Sequence, residues 1–551
     1  MTPLKRFINL LKLDRRDVYQ ILFYAAFAGL ISLSLPLGIQ AIINFIQSAQ
    51  VSVSWIVLII VVTAGASLVG ILSLMQLRIT ENLQQKIFVR ASFEFAYRLP
   101  KIRFRNLYNH YPPELANRFF DTISVQKGTS KMLLDFSSAF LQIGFGIILL
   151  SFYHPFFILF GLLLVLLLYF IFKYSFTPGL ETSLKESKFK YKVAYWLQEM
   201  ARNNNSFRKR HNFEYALARN NALAGEYIDF REKHFSVIRR QFIQLIIFKT
   251  IITAGLLSIG GYLVMSQQMN IGQFVAAEIV ILLVINSVEK LIVGLETFYD
   301  VLTSVEKIGQ VTDMEVEQPS REETVSYEAI TLETEKVNFR FPDTRKRALK
   351  DITLSIQQGE KIFVSGGNGS GKSTLIRFLA GLLPHESGSF YINDGSINKI
   401  NKETYRSQVG LILQGETPFD GTILENITFG NTGFTDRDLK WALDSVGLTP
   451  YIKTLPEGLD THLYPEGRQL SASNAQKILL ARVIISKPNI LLLEDPTDKI
   501  DAGTAREIID FLMAPQNNWT VIVSSVNSYW ERSCSRQIVM ENGEIVEHKK
   551  I

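Results

Sequence analysis

Two long stretches of this chain carry no Asp, Glu, Lys or Arg: Val18 to Leu77, and Phe136 to Phe172. Crossing the hydrocarbon of a bilayer takes about 20 apolar residues in helical form. Each stretch therefore holds two spans joined by a short turn. Two further spans fit at about 241–265 and 271–295, which predicts six helices in three hairpins. The mean hydropathy of the 551 residues is positive, at +0.14, and the apolar excess lies in the first 300.

The net charge of +6 raises the question of nucleic acid, and the distribution of the charge argues against it. The three hairpin turns, Gln47–Ser54, Ser151–Phe156 and Met265–Ile271, contain no Lys or Arg. The N-terminal segment holds Lys5, Arg6, Lys12, Arg15 and Arg16, and the segment 179–240 holds thirteen more basic residues. Basic residues concentrate on the cytoplasmic side of membrane proteins. The pattern predicts a multi-pass protein of the cytoplasmic (inner) membrane, with both termini in the cytoplasm and no nucleic-acid partner. The first stretch lacks a short apolar region ending in a cleavage site, so it reads as an anchor and not a removable signal. The single Cys534 excludes an internal disulfide and gives no support to a cysteine metal site.

Residues 2–14, TPLKRFINLLKLD, place Leu4, Phe7, Ile8 and Leu11 on one helical face, with Lys5, Arg6 and Lys12 mostly off it. This predicts an amphipathic helix on the inner membrane surface; a disordered basic tail is the plainer alternative. The segments 78–130 and 179–240 are too polar for lipid and rich in helix formers, so they read as cytoplasmic extensions of the membrane helices. Each has one break: a Pro pair in NHYPPELANRF, 109–119, and an Asn run in RNNNSFRKRHNFEYALARNN, 202–221. Pro and Asn clusters commonly end one helix and open the next. Composition changes after about Ile308. The stretch DMEVEQPSREETVSYE, 313–328, is acidic and aperiodic. The expected organisation is a membrane domain over 1–308, a linker over 309–330, and an α/β domain of alternating short strands and helices over 331–551.

The α/β part opens its chemistry with KIFVSGGNGSGKSTLIRFLAGLL, 361–383, an apolar strand, a Gly-rich turn and an apolar helix. Gly366, Gly371, Lys372 and Ser373 satisfy GxxxxGK[ST]. Glycines let backbone N–H groups crowd around phosphates, the helix start adds its dipole, a lysine reaches the outer phosphates, and a hydroxyl faces Mg²⁺. The site residues read here are Gly366, Gly367, Asn368, Gly369, Ser370, Gly371, Lys372, Ser373 and Thr374, with ATP and Mg²⁺ as the ligands. Further on, NILLLEDPTDKID, 489–501, runs four apolar residues into Glu494 and Asp495, as a buried strand does when it delivers acids to a magnesium-nucleotide site.

The order of motifs resembles the ABC transporters, specifically half-transporters of the exporter type, over nearly the whole chain. The resemblance implies a six-span α-helical transmembrane domain followed by an α/β P-loop NTPase domain of the ABC type. VNFRFPDTRKRALKDITLSIQQGE is similar to the family's opening strands and sets Phe341 where that family stacks a ring on adenine; a plain strand residue is the alternative. VGLILQGETPFDGTILENI carries Gln414 at the position that senses Mg²⁺ and faces the membrane domain. LSASNAQKILLARVIISKPNILLLED carries the signature and the acid strand at the expected spacing. The breaks at 109–119 and 202–221 fall where the family has its coupling helices. The resemblance also implies a second half-transporter, as a homodimer or a heterodimer, and leaves a periplasmic adaptor open.

Departures from the family pattern gather at the hydrolytic parts. The signature LSGGQ is Leu470, Ser471, Ala472, Ser473 and Asn474 here. Ser471, Ala472, Ser473 and Asn474 are the residues that would meet ATP across a dimer. The magnesium-side Asp is Glu494, and the general base, normally Glu, is Asp495. Shortening that carboxylate by about 1 Å can cost on the order of 10²-fold in rate. The switch histidine should follow WTVIVSS, and its slot falls at Val526, with Asn527 next. A one- or two-residue misalignment does not restore it, because the only His after 462 is His548. Asp501 of the next loop is kept. The expectation is an ATP-binding exporter subunit with slow hydrolysis, impaired at Asp495, Val526 and the signature. The rival is an ATP-gated or regulatory membrane component, or one half of a heterodimer, that binds nucleotide with little turnover. In the membrane part Glu278 lies roughly 10 Å past the outer turn. It reads either as lining a transport cavity or as making a helix–helix hydrogen bond. Lys249, near the inner end of its helix, is expected to snorkel. The segment before the first span is too short for the peptidase-like domain that some peptide and toxin exporters carry.

Overall fold

The computed structural model describes residues 1–47, 53–317 and 328–550. The chain forms two compact units, one of Met1–Ile102 with Asn109–Val316, the other of Arg103–Tyr108 with Glu317–Ile551.

The first unit is helical: α1 Pro3–Leu13, α2 Arg15–Ser32, α3 Ser34–Gln47, α4 Val53–Arg98, then α6 Pro112–Asn117, α7 Asp121–Tyr153, α8 Phe156–Arg202, α9 Asn204–Phe207, α10 Arg210–Gly255, α11 Gly261–Met265 and α12 Ile271–Thr312. The short α5, Phe104–Leu107, belongs to the second unit. Among the described residues, six helical segments are long and apolar enough to cross a membrane: 15–47, 53–101, 112–153, 156–202, 210–265 and 271–312. The second and third predicted hairpin turns fall between α7 and α8 and between α11 and α12. Of the first turn, residues 48–52 lie outside the described residues. Asn270 fixes the start of α12 with a reciprocal cap: its Oδ1 accepts from Gln273 N at 2.7 Å, and Gln273 Oε1 accepts from Asn270 N at 2.9 Å.

The polar segments continue the membrane helices, as their composition predicts. Small residues let the helices approach closely. A Cβ on Gly294 would lie 2.3 Å from Phe136, and one on Gly179 would lie 2.3 Å from Tyr299. Buried Tyr299 donates to Ser175 O at 3.1 Å and accepts from Gln241 Nε2 at 3.0 Å, which ties α8, α10 and α12 together. Two basic residues sit differently from the sequence expectation. Lys249, expected to snorkel, pairs with Glu289 of α12 at 2.6 Å. Arg6 turns inward from α1 and pairs with Glu306 at 3.1 Å and Asp313 at 2.7 Å. On the apolar face Phe7 is buried, whereas Leu4 and Ile8 stay exposed.

The first predicted coupling segment also shifts. The residues that join the second unit are 103–108, and the Pro112-led α6 stays with the first unit. The physical reason is aromatic: Phe104 and Tyr108, one helical turn apart, pack on Phe339 and Phe341. Helix α12 runs to Thr312, beyond the compositional boundary at 308, and residues 318–327 of the expected linker lie outside the described residues.

The second unit has strands β1 Leu332–Phe339, β2 Leu349–Ile356, β3 Lys361–Ser365, β4 Ser387–Ile392, β5 Gly395–Ser396, β6 Val409–Ile412, β7 Gly421–Thr422, β8 His462–Leu463, β9 Ile490–Glu494, β10 Thr520–Ser524, β11 Arg536–Glu541 and β12 Glu544–Lys550. The main sheet has the order β12-β11-β3-β10-β9-β6, with only β12 antiparallel to its neighbour. A parallel sheet is covered on both faces, so its strands are continuous apolar runs. In β9, Leu491 and Leu493 face one core, while Ile490 and Leu492 face the other. A second, antiparallel sheet has the order β2-β1-β4-β5.

Candidate nucleotide site

The site forms where β3 and β9 end at the same edge of the sheet. Strand β3 feeds the loop 366–371, which opens α13, Lys372–Leu379. Gly366 has φ +144°, and a Cβ there would lie 2.2 Å from Met540 O. Gly371, at the N-terminus of α13, has φ +108°, and its Cβ would meet Ala348 O at 2.7 Å. Both positions demand glycine on conformation and on space. Gly366, Gly367, Asn368 and Gly369 are exposed, so the loop presents its backbone to solvent. Lys372 lies over it, with Nζ donating to Gly366 O at 2.7 Å and Gly367 O at 3.0 Å. Ser370 is buried, and its Oγ is without a described hydrogen-bond partner. Thr374 is buried in the first turn of α13.

The acids converge on this cradle. Glu494, 7 % exposed, accepts from the Ser373 hydroxyl through Oε1 and from Gln414 N through Oε2, the latter at 3.2 Å. Three sequence-predicted residues from three elements therefore meet around one carboxylate. Only the backbone of Gln414 takes part; its side chain is exposed. A hydroxyl beside a carboxylate is an oxygen donor set suited to Mg²⁺, which commonly takes one or two carboxylates plus substrate phosphates. An orphaned hydroxyl in a concavity that a Cβ would fill also fits a phosphate-bearing ligand.

The hydrolytic corner is built differently. Parallel pairing of β9 with β10 sets Ser524 opposite Glu494. Asp495 then leaves the strand with φ +46°, its N–H donating to Ser524 O at 2.8 Å. Its Oδ1 accepts from Val526 N at 3.0 Å. The structure thus sets Val526 beside Asp495, with the carboxylate turned onto the backbone of that residue. The Val526 side chain is 86 % exposed and apolar. Asn527 is committed elsewhere: its Oδ1 accepts from Tyr529 N at 3.0 Å and caps the helix Ser528–Ser533.

Ser471 caps the helix Ala472–Ile484, accepting from Asn474 N at 3.2 Å. Ser471 and Ala472 are exposed and Ser473 and Asn474 partly so. No described hydrogen bond joins them to the phosphate loop of their own chain. Asp501 caps the helix Ala502–Met513, and the N–H and hydroxyl of Thr504 hold its carboxyl below the usual range. Phe341 is half-buried, with Phe339 edge-on at 5.0 Å and Tyr108 stacked at 5.6 Å and 29°. Sequence reasoning missed Phe104 and Tyr108; their i, i+4 spacing beside the Pro pair was the available signal. In the first unit Glu278 is half-buried, and among the described residues it has no hydrogen bond or ion pair. The helix–helix hydrogen bond considered for it is not found there.

Known proteins resemble this chain at each level. The model of the ABC transporter transmembrane region matches residues 18–204, and the ABC transporter model matches residues 349–498, between them more than half of the chain. An uncharacterised ABC transporter ATP-binding protein, YfiB of Bacillus subtilis (strain 168), is 31 % identical over 246 residues, 44 % of this chain and 42 % of its own length. The alpha-hemolysin translocation ATP-binding protein HlyB of Escherichia coli O157:H7 is 30 % identical over 325 residues, 58 % of this chain and 46 % of its own. The leukotoxin translocation ATP-binding protein LktB of Mannheimia haemolytica is 30 % identical over 321 residues, 58 % of this chain and 45 % of its own. The chain thus spans less than half the length of these curated relatives. The ATP-bound structure of a bacterial Atm1-family ABC exporter superposes with a TM-score of 0.84 at 18 % identity, covering 97 % of this chain and 95 % of that one. At that identity the likeness is one of fold.

Proposed function

The chain belongs to the ABC transporters, with the family's membrane region and its ATP-binding domain in one polypeptide, and we propose that it is an exporter half that binds Mg-ATP tightly and hydrolyses it slowly. The observation carrying this reading is the contrast at the end of β9. Glu494 gathers Ser373 and Gln414, while Asp495 is turned onto the Val526 backbone. The loop 366–371 and Lys372 would hold the outer phosphates, Ser373 and Glu494 would hold Mg²⁺, and Phe341 would stack on the adenine. Mg²⁺, when bound, offsets charge on the phosphate oxygens. Asp495 stands at the position that the family resemblance gives to the general base, and would orient the attacking water poorly. Its carboxylate is a methylene shorter than the family's Glu, and Val526 offers no polar side-chain atom to steady water or γ-phosphate. In-line attack is then limited by chemistry and not by binding. Residues 471–474 of a second half would complete the site; with LSASN on both sides, a homodimer would carry the same impairment twice.

The test is purified full-length chain in lipid nanodiscs, with ATP-binding isotherms beside steady-state phosphate release. Tight binding with slow, burst-free release is expected. Absence of binding would overturn the reading. Binding with no release at all would favour an ATP-gated regulatory component. We also infer a cytoplasmic-membrane topology with both termini inside, supported by the absence of basic residues from all three hairpin turns. A reporter in 265–271 should lie outside the cytoplasm and one after Ile551 inside; both on one side would refute it.

A further inference from the structure

A cavity in the first unit is lined by none of the residues of the nucleotide site. It has a volume of about 760 Å³ and is lined by Tyr111, Arg118, Lys188, Tyr191, Tyr195 and Lys307 among others. That volume falls in the range of small-molecule sites, roughly 300–1,000 Å³.

Its charges do not balance internally. Lys307 is 8 % exposed, yet among the described residues its ammonium has no hydrogen bond and no close ion pair; it lies 5.3 Å from the Tyr191 ring, and Asp121 and Glu114 act on it only through longer-range attraction. The Arg118 side chain is 11 % exposed; Nη2 meets Glu114 at 3.0 Å, and Nε is buried with no acceptor. The acids nearby are already engaged. Glu114 holds Arg118, and Glu306 holds Arg6. Asp121 accepts from the Tyr191 hydroxyl at 2.5 Å and lies 3.7 Å from Lys190. Lys188 stands at the rim, exposed and without a described partner. A buried cation without an acceptor is costly, and so is a buried guanidinium N–H. The missing component is negatively charged and rich in acceptor oxygens.

We propose that this cavity is a binding site for a phosphate group, with Lys307 and Arg118 as its charged donors and Tyr111 and Tyr195 among the residues that line it around the body of the ligand. The same chemistry could come from a soluble phosphate compound or from an anionic phospholipid headgroup. Lys307 lies about 12 residues beyond the predicted end of its span, roughly 18 Å along the helix, which favours the soluble source.

The test reads Lys307 itself. Full-length chain in phosphatidylcholine nanodiscs is acetylated with a limiting reagent, and the rate at Lys307 is followed by peptide mass spectrometry with increasing inorganic phosphate. A second arm replaces the phosphate by phosphatidic acid in the disc. Occupancy slows acetylation by the factor 1 + [L]/Kd, about ten-fold at roughly ten times Kd. Slowing with free phosphate supports a soluble ligand, and slowing only in phosphatidic acid discs supports a headgroup. Equal rates in every condition overturn the site. Protection should persist in Lys372→Ala; its loss there would mean that the effect arises in the nucleotide site and would also overturn the proposal. Arg118→Gln should weaken protection by about ten-fold or more, since hydrogen bonds to charged groups are worth about 1.5–3 kcal/mol. Undiminished protection in that variant counts against the assignment. The measurement on the unmodified chain decides the matter even if the variant fails to fold.

Discussion

The phosphate cradle and the hydrolytic corner lie on β3 and β9 of one sheet, separated only by β10, and they are specified in different ways. The cradle is made of backbone. Its glycines are required by left-handed angles and by carbonyls that leave no room for a Cβ, and its donors are N–H groups that any sequence supplies once the loop is formed. The corner is made of two side chains at fixed reach. The same strand pairing that aligns Glu494 with Ser524 also delivers residues 495 and 526 side by side, whatever those residues are. Under the proposed function, nucleotide binding is kept while the chemistry is altered by one methylene and one missing imidazole.

The most severe way to break the comparison is Gly366→Ala. The added Cβ meets a backbone carbonyl at 2.2 Å in a left-handed conformation. Destabilisation of the nucleotide unit by about 2–4 kcal/mol is expected in denaturant melts; a neutral result would show that the loop can relax and that glycine is not compulsory. Next in size, Lys372→Ala should lower ATP affinity by about 100-fold or more, read from binding isotherms. Unchanged affinity would remove the cradle from the site. A sharper test restores the corner. Asp495→Glu combined with Val526→His should raise phosphate release by about ten-fold or more with ATP affinity nearly constant. Each single change should do little, because groups acting as a unit are strongly non-additive. No gain in the double variant would move the limitation to the LSASN signature or to a missing second half. The smallest effect is expected for Asp495→Asn. The amide oxygen can still accept from Val526 N, so turnover should change by less than about three-fold if the carboxylate contributes little as a base. Brisk turnover in the parent, abolished in this variant, would make Asp495 a competent base and reverse the contrast.

Much of this was legible in the chain itself, for identifiable reasons. Charge-free runs of helical length leave few alternatives to membrane helices, and six segments of the required length and composition are present among the described residues. GxxxxGK[ST] between an apolar strand and an apolar helix implies the loop geometry, because its glycines exist for that geometry. The reading went astray where a residue's partner is distant in sequence. Lys249 reads from the sequence only as a snorkelling residue, because its partner Glu289 is 40 residues away, on another helix. The Pro pair drew attention to 109–119, although the packing that matters comes from Phe104 and Tyr108 just before it.

The sequence by itself determined the class of each half: hydropathy sets the number of spans, and glycine spacing sets a phosphate-binding turn, since both follow from local backbone physics. Only the tertiary structure decided which side chains meet. Strand register brought Asp495 against the backbone of Val526 and gathered Ser373 and Gln414 on Glu494, and helix packing left Lys307 buried with no described hydrogen bond to an acid. Such encounters depend on register and packing angle between elements far apart in the chain, and no local periodicity encodes them.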